Sequence, residues 1–70
     1  MTSTETTRRV HLIHDADGKL LARVALLATG GTWIVELWQH DRFGTRDVYD
    51  TEREATTEWR ATAVAVTNFY

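Results

Sequence analysis

The stretch Thr32-Trp33-Ile34-Val35-Glu36-Leu37-Trp38-Gln39 decides how this chain folds. Its β-branched and aromatic residues suit a pleated surface. Side chains alternate across a strand, which puts Trp33, Val35 and Leu37 on one side and Thr32, Ile34, Glu36 and Trp38 on the other. Two tryptophans five residues apart therefore face opposite sides of one sheet. A 70-residue chain with one recognisable helix covers only one of those sides. Trp33 is expected beneath the helix and Trp38 on the face the helix leaves free.

Working outward, residues 19–27 (KLLARVALL) and 10–14 (VHLIH) read as two further strands. The turn Asp15-Ala16-Asp17-Gly18 joins them, since Asp bonds its own backbone and Gly accepts a positive φ. Leu20, Ala22, Val24 and Leu26 form an all-apolar face that belongs to the core, opposite Leu21, Arg23, Ala25 and Leu27. Ala28-Thr29-Gly30-Gly31 breaks the pattern before the tryptophan strand. After it, His40-Asp41-Arg42-Phe43-Gly44 repeats the turn chemistry, and residues 45–49 (TRDVY) give a short, charged edge strand. That strand does not declare its faces. Arg46 and Val48 share one side and Thr45, Asp47 and Tyr49 the other, and a bulge near Gly44 would shift the register.

Thr51-Glu52-Arg53-Glu54 is a capping box that starts a helix, with the Thr51 hydroxyl accepting from the Glu54 amide and the Glu54 carboxylate reaching back to the Thr51 amide. Ala55, Trp59, Ala63, Val66 and Tyr70 recur at spacings of three and four and form the stripe that meets the sheet. Arg53, Thr57, Arg60 and Asn68 fall on the solvated side. The expected fold class is α+β: a four-stranded antiparallel β-meander with one C-terminal helix packed on one face, in two layers. Residues 1–8 read as a flexible N-terminal tail and residues 9–70 as a single domain.

Composition narrows the function classes. The chain has no cysteine and only His11, His14 and His40 as soft ligands, which removes a disulfide scaffold and a Cys-rich zinc site. The pattern His-Asp-x-x-Gly occurs twice, at His14-Asp15 and His40-Asp41, and a meander would gather both on one rim. Turn chemistry accounts for the repeat, and no metal or other cofactor is expected. Met1 to Thr7 has no apolar leader, and no run approaches a membrane span. A cytoplasmic protein without a membrane partner is expected.

A catalytic set is missing as well. The one serine, Ser3, lies in the tail, Lys19 stands in a turn, and the twelve threonines are strand formers and caps. The acidic pairs Asp15/Asp17 and Glu52/Glu54 have turn and capping roles, and Gly30-Gly31 precedes a strand rather than a helix. A non-enzymatic protein with no small-molecule substrate is the expectation.

What the sequence does offer is a surface. Leu21, Leu27, Ile34 and Trp38, with Arg23 and Glu36 between them, would form a patch of several hundred Å² on the helix-free face. An aromatic anchor among aliphatics and a few charges has the make-up of an interface centre. The expected partner is a protein or a second copy of the chain, most simply a homodimer. Size and lack of a catalytic set fit a small regulatory or accessory protein of the kind a mobile element encodes to act on a host protein.

The alternative is nucleic acid. The order strand, strand, strand, helix across residues 20–66, with Trp33, Gly44, Ala55 and Trp59 as landmarks, resembles in layout the arm-type DNA-binding domains of tyrosine integrases. That likeness implies a three-stranded sheet set into the major groove. Those domains carry Arg and Lys on the sheet, whereas Leu21, Ile34, Glu36 and Trp38 stand here beside Arg23 alone. The formal charge of −2 gives no general pull toward phosphate. Arg8, Arg9, Arg42 and Arg46 would supply a basic rim in this reading.

Overall fold

The computed structural model describes residues 4–70. Four strands, β1 (Thr6–His14), β2 (Leu20–Thr29), β3 (Thr32–Gln39) and β4 (Arg42–Tyr49), precede one helix, α1 (Glu52–Phe69). The strands form one antiparallel sheet in the order β1-β2-β3-β4. The expected meander and its C-terminal helix are present, an α+β fold of two layers. β1 is longer than the sequence reading of it. Thr6 and Thr7 pair with Ala28 and Leu27, so residues 6–8 of the segment read as tail belong to the sheet. Residues 1–3 of that segment lie outside the described residues.

Each turn has a local cause. The Asp15 carboxylate accepts from the amides of Asp17 and Lys19, both at 2.9 Å, which closes the β1–β2 connection. Gly30 and Gly31 take φ of 51° and 89°, the paired positive values that a two-residue hairpin needs and that only glycine adopts without cost. The β3–β4 connection is tighter than the sequence indicates, because β4 already begins at Arg42. Leu37 pairs with Thr45 and Gln39 with Arg42, so Phe43 and Gly44 together oppose Trp38 in a bulge. At Gly44 a Cβ would collide with the Leu37 carbonyl oxygen, and this close approach is why glycine stands there.

The helix caps as expected at the hydroxyl, where the Glu54 amide donates to Thr51 Oγ1 at 3.2 Å. The return bond differs. Glu54 accepts from the Thr51 hydroxyl at 3.2 Å, not from the Thr51 amide. Ala55, Ala63 and Val66 are buried against Ala22, Val24, Leu26 and Val35, with Trp33, Leu37, Tyr49 and Trp59 packed around them. The Trp59 indole N–H donates to the Val24 carbonyl at 2.9 Å, fixing the helix axially on the central strand. β4 therefore sends Thr45, Asp47 and Tyr49 to the helix side, opposite Leu37, Val35 and Trp33. α1 lies mainly over β2 and β3, so the helix side of β1 is left as the wall of a cleft.

Candidate functional site

Cross-strand register builds the helix-free face row by row, because directly paired residues share a face. One row is Thr7, Leu27, Ile34 and Val48; the next is Val10, Ala25, Glu36 and Arg46; the third is Leu12, Arg23 and Trp38. The expected face is thus assembled with Leu27, Arg23, Ile34, Glu36 and Trp38 on it. Leu21, half-buried, sits at its end, where its carbonyl accepts from the His40 amide at 3.1 Å.

The expectation of a continuous exposed patch is corrected at two residues. Leu27 and Ile34 are only 6% and 4% exposed and form a second small core with Ala25. Their cover comes from this chain's own charges. Arg46 donates to Glu36 at 2.6 Å and to Glu5, and Arg23 lies 3.6 Å from Glu36. Glu5 precedes β1 and Arg46 is on β4, so their pair spans the strands that carry Leu27 and Ile34. Both carboxylates keep the Arg46 guanidinium more firmly protonated than usual, Glu36 the more strongly.

Around this ladder the apolar surface is exposed. Trp38 is 44% exposed, Leu12 and Val10 46% each, and Val48 62%. The sequence reading missed Val10, Leu12 and Val48. The signal was the alternation of Val10 and Leu12 with Arg9 and His11, which puts these two apolar residues away from the helix, while Ile13 faces it. Trp38 is set apart by the bulge, since it has Arg23 beside it on β2 and no direct partner on β4. Phe43, in the same bulge, is almost fully exposed. Together the exposed parts of these side chains amount to several hundred Å², within the range of the largest patches found on monomers.

The four arginines read as one basic rim are dispersed. Arg46 is on the helix-free face. Arg42 stands at the β3–β4 turn, 3.6 Å from Asp41 and 4.1 Å from the centre of the Phe69 ring. Arg8 and Arg9 face the other way, over the rings of Trp33 and Trp59 at 5.8 Å each, in the cleft between β1 and α1. The β-bulge between Thr7 and Arg9 turns the strand at this point. Farther along the same cleft His11 Nε2 meets Thr67 Oγ1 at 2.9 Å. The Thr67 proton is already given to the Ala63 carbonyl at 2.7 Å, so the imidazole is the donor.

Among the described residues no three His, Cys, Asp or Glu side chains converge as a metal site, and no helix is long and apolar enough to cross a membrane. Asp15 is occupied by its own turn. No protein-family model matches the chain, and neither a curated protein nor a solved structure matches it.

Proposed function

We propose that this chain is a small non-enzymatic module of regulatory type that works by protein binding, pairing with a second copy through the helix-free sheet face. The observation that carries this is Trp38, 44% exposed beside Arg23 in the row that ends at Leu12, on a face with no covering layer. The chain of contacts Arg23–Glu36–Arg46–Glu5 alternates in sign. A two-fold axis lying between two such faces and perpendicular to that chain reverses its order, so each arginine meets a carboxylate. The same charges make the face a poor phosphate reader, because both arginines on it already hold carboxylates.

Magnitude sets the strength. The exposed apolar surface of this face, several hundred Å² per copy, is at the small end of what an interface of roughly 800 Å² per partner requires. The dimer is accordingly weak, with a dissociation constant of about micromolar or higher. Light scattering over a concentration series, on wild type and Trp38→Glu, tests it. Mass should rise with concentration for wild type and stay monomeric for the variant, with both folded by circular dichroism. A wild type that stays monomeric throughout removes self-pairing and leaves the face for a different protein.

A further inference from the structure

The cleft between β1 and α1 has no part in that pairing. It has a volume of about 620 Å³, within the roughly 300–1,000 Å³ of small-molecule sites. Arg8 and Arg9 line it from β1, and Arg53 and Arg60 from the first half of α1, with Glu52 the one acidic residue on its wall. Among the described residues none of these four arginines has a carboxylate within 4.0 Å, whereas Arg23, Arg42 and Arg46 each do. Four unpaired guanidinium groups around one cavity repel one another, and a bound anion relieves that repulsion. Two of them lie within cation–π range of an indole, Arg8 of Trp33 and Arg9 of Trp59 at 5.8 Å each, and Trp59 is itself fixed to the Val24 carbonyl. The attraction of each guanidinium to its ring biases the side chain toward the cleft.

We propose that this cleft binds a compact organic phosphate carrying at least two phosphate charges. Guanidinium forks match phosphate oxygens, and the Thr56 hydroxyl on the cleft wall is a further donor. A compact anion is favoured over a nucleic-acid backbone on two grounds. The site is concave and bounded by Glu52, and among the described residues Arg23, Arg42 and Arg46 each already pair with a carboxylate. An extended polyanion also meets the net charge of −2, whereas a small one meets the local arginines.

The test is an amide and arginine side-chain NMR titration with inorganic pyrophosphate, with sodium chloride at matched ionic strength as control, repeated with a nucleoside diphosphate and with a short DNA duplex. Saturable shifts at Arg8, Arg9, Arg53, Arg60 and the indoles of Trp33 and Trp59 are expected with pyrophosphate. Arg9→Ala and Arg60→Ala should each weaken binding about tenfold, and Arg9→Lys, which keeps the charge and loses the fork, should weaken it less. Arg42→Ala should bind as wild type. Tighter binding of the nucleoside diphosphate than of pyrophosphate would identify a nucleotide as the source of the phosphates. Shifts that sodium chloride reproduces, equal weakening by Arg42→Ala, or binding of the duplex without binding of pyrophosphate would each overturn the proposal. Trp38→Glu keeps the cleft intact, so loss of dimerisation and loss of phosphate binding are separate results.

Discussion

The Tyr70 hydroxyl donates to the Asp41 carboxylate at 2.8 Å, joining the C-cap of α1 to the turn between β3 and β4. Beside it, Arg42 lies over the Phe69 ring, and Phe69 meets Tyr70 edge to face with ring centres 5.0 Å apart. The last turn of the helix is thus held by a polar bond and an aromatic cluster on one spot of the sheet rim.

This latch is active over a defined pH range. The Tyr70 bond, with help from His40 and Arg42, lowers the Asp41 carboxyl below its ordinary value, so its contribution is full above the unfolded carboxylate pKa and is lost as pH falls through the folded one. Partial burial and Asp41 raise the Tyr70 phenol, so its contribution is full below the unfolded phenol pKa and is lost as pH rises through the folded one. The protection of the amides of residues 66–70, their exchange relative to the intrinsic rate at each pH, should be highest between these limits and fall on both sides. Tyr70→Phe should flatten that profile.

Gly44→Ala should destabilise the chain by about 2 kcal/mol, because the new methyl group meets the Leu37 carbonyl and the bulge must open. In a domain of this size that lowers the melting temperature by roughly 10 °C. An unchanged melting temperature would show that β4 slides without penalty.

Removing the lid over the helix-free face should be visible without any partner. Arg46→Ala breaks the contacts to both Glu36 and Glu5 and uncovers Leu27 and Ile34. Binding of a hydrophobic dye should rise while helix content stays constant. Dye binding equal to wild type would mean that the aliphatic stem of Arg46 does not shield these residues.

Thr51→Ala should cost about 1 kcal/mol, since the Glu54 amide loses its acceptor at the amino end of α1. Thr51→Ser should restore most of it. Urea unfolding of the three proteins distinguishes a capping effect from a packing effect, which serine would not rescue.

Much of the architecture was readable because local pattern and final packing agree. Ala22, Val24 and Leu26 of the apolar run lie under the helix, and Trp33, Val35 and Leu37 join them. The face opposite them was readable in membership and misread in exposure. Leu27 and Ile34 are covered by a pair of residues 41 positions apart in the chain, Glu5 and Arg46, and no local pattern records such a closure. The arginine cleft was hidden for a related reason. Arg53 and Arg60 read as an ordinary solvated helix face, and only the uncovered helix side of β1, with Arg8 and Arg9 on it, makes them neighbours.

The strand order also bears on how the molecule assembles. Every strand pairs with its neighbour in sequence, so each hairpin closes across a short turn with little loop entropy to overcome, and the sheet has the contact pattern of a fast-forming one. The helix comes last in the chain, however, and until residues 52–69 dock, Val24, Leu26 and Val35 stand open to water. A meander formed without its helix would expose these side chains and be the aggregation-prone form of the chain. Conditions that slow helix docking should favour aggregation even where the native state is stable.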